Sequence, residues 1–200
     1  VSEMTLRNDV RALDAQHRLV RVYGGVRSLG TVMGADGLFD VRRNAHVAEK
    51  ELIARKAAAL VREGDSVYLD SGSTAARLAP LVPNVRLTVF TNALHCALGL
   101  GHLDRAEVVV PGGALNRSGM CLNGSRAVRE VGRLRFDLAF VGVSAYDDTH
   151  GFMCGMEEDA ELKRACVRQA DRVAVLMDSS KVGRASTFRV AGLGDVDVVV

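Results

Sequence analysis

The apolar positions open with a helical period and then change to an alternating one. At about 100° per residue, Leu6, Val10 and Leu13 share one face of residues 2–13. Met4, Asn8 and Arg11 lie opposite, with Thr5 and Arg7 on the flanks. The spacing predicts an amphipathic helix with a basic outer face. Ser2 suits its N-cap and Glu3 its positive end. From residue 19 the side chains alternate, Leu19, Arg21 and Tyr23 to one side and Val20 and Val22 to the other, up to Gly24-Gly25, a pair that accepts a hairpin turn. Residues 24–40 are glycine-rich and weakly periodic, and a connecting segment is expected at 30–42.

Residues 42–65 then predict one long helix ended by Gly64, with Val47, Ile53, Ala57, Leu60 and Val61 as its apolar stripe. Short apolar runs follow at 66–70, 87–90, 106–110, 137–143 and 172–178, separated by amphipathic stretches at 71–82, 92–101, 125–134 and 158–170. This alternation predicts an α/β domain over 43–200: a mainly parallel sheet covered by helices on both faces. The last run, "DVDVVV", reads as a sixth strand and suggests a domain cut short.

Composition narrows the classes. The chain has 200 residues, 48% of them hydrophobic but only 4% aromatic, so it can bury one substantial aliphatic core. Its net charge of +2 is the excess carried by Arg7, Arg11, Arg18, Arg21 and Arg27 over Glu3, Asp9 and Asp14, which is weak evidence for a nucleic-acid partner. Cys96, Cys121, Cys154 and Cys166 form no Cys-x-x-Cys pair, which argues against a metal centre or a secreted disulfide framework and for a reducing cytoplasm. No apolar run reaches the ~18 residues of a membrane helix. No cofactor motif is present, and the Walker spacing is absent.

The candidate chemistry sits where the strands end, which is where open α/β sheets collect ligands. "DSGST" (Asp70, Ser71, Gly72, Ser73, Thr74) follows the first run, Thr91 and Asn92 the second, Gly112 and Gly113 the third, and "DSSKVG" (178–183) the fifth. Small hydroxyl and glycine residues at a helix entrance let several backbone N–H groups face an anion, with Lys163 or Lys181 as countercharge. Alone, Ser-Gly-Ser-Thr also serves as an ordinary turn and Asn92 as a helix cap. Asp70 and Asp178 are the candidate bases of an alternative, enzymatic reading.

"VSEMTLRNDVRALDAQHRLVRVYGGV" resembles the end of the DNA-binding domain of DeoR-type bacterial regulators, the recognition helix and wing of a winged helix-turn-helix. Asn8, His17 and Tyr23 stand where arginine, glycine and histidine are usual. "LDSGSTAARLAPLV", "TVFTN", "PGGAL", "LRFDLAFVGV", "EEDAELKRA" and "DSSKVG" are similar to that family's effector domain, in the same order. The resemblance implies a partial DNA-binding domain at 1–29, lacking two upstream helices, and an effector domain like the sugar-phosphate isomerases of the ribose-5-phosphate isomerase kind. It implies a transcription regulator, in most such proteins a repressor of carbohydrate metabolism, that acts as a homo-oligomer on double-stranded DNA. Ser2, Thr5, Arg7, Asn8, Arg11 and Arg21 would meet DNA. Ser71, Gly72, Ser73 and Thr74 would hold the phosphate of a sugar effector, and Thr91, Asn92, Gly112, Gly113, Lys163 and Lys181 would complete the pocket. After Gly151 the family commonly has two threonines; "FMCGMEED" here predicts a softer wall of Met153, Cys154 and Met156. The alternative is an isomerase, but the loop at 142–145 holds no acid and Asp147 and Asp148 come later, so no catalytic residue is expected.

Overall fold

The computed structural model describes residues 3–15, 19–22, 25–28 and 39–200. The first helix, α1 (Glu3–Ala15), is followed by the antiparallel hairpin β1 (Leu19–Val22) and β2 (Gly25–Ser28), with Arg21 opposite Val26. On α1 Leu6 is exposed while Val10 and Leu13 are half-buried. Ser2, His17, Tyr23, Gly24 and residues 30–38 of the expected connecting segment lie outside the described residues. Residues 39–42 of that segment are helical: α2 (Phe39–Asn44) begins with Phe39 buried, its ring stacked on His95 at 4.2 Å between centroids.

The single helix expected over 42–65 is broken. α3 (Val47–Ala58) starts after His46, which takes the left-handed conformation at φ 52 and so interrupts the helix rather than continuing α2. Ile53, Ala54, Ala57 and Val61 are buried as the periodicity requires, whereas Val47 is exposed. Helical bonding ends at Ala58, and Gly64, at φ 91, instead shapes the turn into the next strand.

That strand is β3 (Ser66–Leu69), followed by the short α4 (Ala75–Leu78), which Pro80 keeps from extending as an α-helix. Then come β4 (Thr88–Phe90), α5 (Leu94–Gly99), β5 (Glu107–Val109), the hairpin β6 (Ala114–Asn116) and β7 (Cys121–Asn123), and α6 (Ser125–Val131). β8 (Leu138–Gly142), β9 (Ala145–Asp147), β10 (Gly151–Cys154), α7 (Glu157–Gln169), β11 (Val173–Leu176), β12 (Phe188–Ala191) and β13 (Val198–Val199) complete the chain.

Six strands form one wholly parallel sheet in the order β13-β11-β8-β3-β4-β5. Successive residues of its central strands serve two cores. Val67, Leu69, Leu138, Phe140, Ala174 and Leu176 pack toward α3, α4 and α5, while Tyr68, Ala139, Val141, Val173 and Val175 pack toward α6 and α7. Burial on both faces is why these strands read as continuous apolar runs. A second, antiparallel sheet, β12-β10-β9, joins the core on the α7 side. It contains Met153 and Cys154, both buried, so they are core residues of β10 rather than a pocket wall. All four cysteines are buried, and burial pushes the Cys121 thiol up to about 11. Among the described residues no helix is long and apolar enough to cross a membrane.

At the opposite end of the sheet from the strand termini discussed below, Asp137 Oδ2 accepts from Ser66 N at 2.7 Å and Ser66 Oγ at 2.8 Å, tying the starts of β8 and β3. These bonds hold the Asp137 carboxyl below its ordinary value. A depressed carboxylate stabilises the fold above its unfolded pKa, and that contribution is lost as pH falls through the folded one. Asp137→Asn is therefore expected to cost about 1 kcal/mol at neutral pH in urea unfolding, with the gap closing below pH ~4. A gap that stays constant as the pH is taken well below ~4 would show that the charge contributes nothing.

Candidate functional site

The chain runs outward from β3 to β4 and β5 and then returns to β8 on the other side of β3, so the connections diverge between β3 and β8. A crevice opens at such a point, beyond the carboxyl ends of the strands. It is lined there by the loop after β3 (Ser71, Gly72, Ser73, Thr74), the loop after β8 (Gly142, Val143, Ser144) and the turn after β11 (Asp178, Lys181). Lys163 and Asp159 of α7 form another wall, and Arg42, His46 and Lys50 close the site from α2 and α3. The cavity is small, about 80 Å³.

Gly72 adopts φ 147, a conformation that suits glycine and turns the loop back over the crevice. Among the described residues, the amides of Gly72, Ser73, Thr74 and Ala75 donate to no backbone carbonyl, while Ala76 N donates back to Gly72 O at 3.0 Å. Asp70 lies beneath this loop, 1% exposed. Its Oδ2 accepts from Gly142 N at 2.9 Å and from Lys163 Nζ in a very close ion pair, and Lys163 also faces Asp159 Oδ2 at 3.4 Å. Burial pulls the Lys163 ammonium down, but Asp159 and Asp70 outweigh it and hold the group above its ordinary value, so it is charged at neutral pH. Burial raises the Asp70 carboxyl against the pull of Lys163.

Lys50 is 4% exposed, and its Nζ donates to Arg42 O at 2.5 Å and Ala45 O at 2.7 Å. Burial, and after it Lys181, lower it to about 8. The periodicity carried a signal for Lys50 that goes unread when only apolar residues are counted: it occupies the buried stripe of α3, three residues before Ile53. Asp178 accepts from Ser180 N at 3.1 Å and from Ser180 Oγ. Burial works against its ionised form, yet Ser180 and Lys181 keep the Asp178 carboxyl below its ordinary value.

The structure thus brings Ser71, Gly72, Ser73, Thr74, Lys163 and Lys181 together, with Asp70 under them. It does not bring Thr91, Asn92, Gly112 and Gly113 to the same cavity. The hairpin β6–β7 covers the ends of β4 and β5: Leu122 N donates to Asn92 O at 2.8 Å, and Thr91 and Asn92 are fully buried. Asn92 instead accepts from Tyr68 Oη at 2.9 Å and donates to Asn123 Oδ1 at 3.1 Å. Gly112 N donates to Glu130 Oε2, and a Cβ at Gly113 would lie 2.8 Å from Asn123 O, so this glycine lets the hairpin approach. Of the DNA-contact candidates, Thr5, Arg7, Asn8 and Arg11 are exposed on α1, Arg7 pairing with Glu3 at 2.6 Å. Of Arg21 only the place in β1 is described, and Ser2 lies outside the described residues. Among those residues no cluster of side chains could hold a metal ion.

With this geometry in view, comparison with known families is decisive. Residues 45–200 match the DeoR C terminal sensor domain and residues 1–32 the DeoR-like helix-turn-helix domain. The chain belongs to the DeoR family of transcription regulators. It is 32% identical over 200 residues to the HTH-type transcriptional repressor GlcR of Bacillus subtilis, covering all of this chain and 77% of that one. It is 28% identical over 201 residues to the L-fucose operon activator of Escherichia coli, covering all of this chain and 83% of the other. Its fold is shared with eIF2B delta from Chaetomium thermophilum, at a TM-score of 0.55 and 15% identity over 80% of this chain and 58% of that one. Ribose 5-phosphate isomerase A from Methanocaldococcus jannaschii aligns with a TM-score of 0.48 at 18% identity, over 69% and 55% of the two chains.

Two outcomes follow for this DeoR chain. Lys163→Ala strands the Asp70 carboxylate in the core, and breaking a buried pair in this way costs about 3–5 kcal/mol. Urea unfolding is expected to show that loss and to show much of it recovered in Lys163→Ala/Asp70→Ala, whereas additive losses would mean the two side chains are not coupled. Lys50, observed by NMR of its side chain, is expected to titrate near pH 8, moving up in Lys181→Gln and down in Asp178→Asn. A midpoint at the ordinary ~10.4 would contradict the buried placement.

Proposed function

We propose that the sensor domain of this DeoR regulator binds a phosphorylated sugar, with the phosphate held by Ser71, Gly72, Ser73 and Thr74 and neutralised by Lys50, Lys163 and Lys181. The observation that carries this reading is the convergence of an amide- and hydroxyl-rich loop and three ammonium groups on one small crevice at the point where the strand connections diverge. The sugar would extend into the open mouth, past Val143, Ser144 and His46. The site would serve regulation: Thr5, Arg7, Asn8 and Arg11 of α1, with Ser2 and Arg21, would contact double-stranded DNA, and the chain would act as a cytoplasmic homo-oligomer, in the main as a repressor of carbohydrate genes. Thr91, Asn92, Gly112 and Gly113 would support the pocket through the hairpin rather than touch the ligand.

An isomerase is the weaker reading. A proton-abstracting base must be free to reach the substrate. Asp70 and Asp159 are both engaged by Lys163, Asp178 is engaged by Ser180, and Asp147 accepts from Thr149 N and His150 N in a turn.

A ligand that binds only the folded state raises its stability by mass action. In thermal unfolding, at least one member of a panel of sugar phosphates is expected to raise the melting temperature, its unphosphorylated sugar to do far less, and Lys181→Gln to weaken the effect. Equal shifts from the sugar and its phosphate would refute the phosphate site.

A further inference from the structure

Lys50 faces two ways. Two of its three ammonium donors are spent on Arg42 O and Ala45 O, at and just beyond the C-terminal end of α2, where a helix leaves carbonyls without intrahelical donors. The third is left for the crevice that Lys50 lines with Ser71–Thr74 and Lys181. A helix of six residues has little stability of its own, so the order of α2 depends on its tertiary ties. Those ties are few. Phe39 stacks on His95 and donates its amide to Ser118 O at 3.0 Å, and Arg43 O accepts from Arg77 at 3.0 Å. Beside them lies a cavity of about 460 Å³ bordered by Phe39, Arg43, Glu51 and Arg77. Among the described residues, Arg42 Nε and Arg77 Nε are buried with no hydrogen-bond partner. Such loosely held elements sit at the low-stability end of a fold. The helix also occupies a particular place in the chain: it is the element through which the polypeptide, coming from α1, β1 and β2, enters the sensor domain.

We infer that Lys50 couples the sensor site to the DNA-binding segment: a phosphate in the crevice takes the third donor of its ammonium group, which then clamps α2 onto the domain through the Arg42 and Ala45 carbonyls. This rests on the phosphate reading of the pocket and adds the route by which occupancy reaches the rest of the chain. The electrostatics agree with the geometry. Burial, Lys181, Arg42 and Arg77 weaken the charge on Lys50 and Asp178 supports it, so an arriving phosphate supplies a further anion that keeps all three donors in place. By reciprocity, whatever orders α2 from the DNA side strengthens effector binding by the same factor.

Hydrogen exchange of residues 39–46 in the 200-residue chain tests this, with inorganic phosphate as the probe, raised until its thermal shift saturates, against sodium chloride of equal ionic strength. The α2 amides are expected to exchange about tenfold more slowly with phosphate bound. Lys50→Gln should abolish the slowing at saturation, and Lys181→Gln should need more phosphate but recover it. If Lys50→Gln lacks a cooperative melt, Lys50→Arg, which keeps the charge without the compact three-donor head, should bind phosphate with little slowing. A thermal shift with unchanged α2 exchange, or slowing in the Lys50 variant equal to wild type, overturns the coupling while leaving the pocket standing. No thermal shift from phosphate or any sugar phosphate overturns both.

Discussion

The buried pair between Asp70 and Lys163 is the constraint around which the sensor domain is arranged. It joins the end of β3 to the middle of α7, and through the Gly142 amide it reaches β8, so one carboxylate fixes three elements at the switch point. A charge at this depth is tolerable only when paired and hydrogen-bonded. Asp159 Oδ2 also faces Lys163 at 3.4 Å, so the ammonium lies between two carboxylates at the edge of the crevice. The loop that follows Asp70 inherits its position from this anchor. Ser71–Thr74 therefore stand over the buried pair, while Lys181 and Lys50 approach from the turn after β11 and from α3.

The parallel sheet and its helical cover were legible in the sequence because each central strand is buried on both faces and each crossover helix has one apolar side. Elements of two to four residues were less so. β6, β7, β9 and β12 are too brief to show a period of two, and "FMCG", a pocket wall by the family resemblance, carries no alternation that marks β10. The break between α2 and α3 has neither glycine nor proline to announce it; it depends on a histidine in the left-handed region and on a lysine reaching back from the next turn.

At the site, sequence reading found the strand-end residues but not the strand order, and strand order decides which ends meet. β3, β8 and β11 are neighbours, so Ser71–Thr74, Lys163 and Lys181 converge. β4 and β5 lie on the far side of β3 under a hairpin, so Thr91, Asn92, Gly112 and Gly113 share the local pattern without sharing the cavity. Lys50, Arg42, His46 and Asp159 escaped notice because nothing adjacent in sequence marks them. The family resemblance supplied the functional class, which no physical feature of the pocket could have supplied alone.

The four buried thiols bear on how such a regulator ages. Cys96, Cys121, Cys154 and Cys166 all sit in the core, and burial raises Cys96, Cys121 and Cys166, so the native molecule offers peroxide almost no thiolate to attack. Damage must wait for an opening of the domain. Oxidation then works as a one-way ratchet on rare excursions from the native state, and a regulator kept closed by its ligand would outlast an empty one in the same oxidising burst.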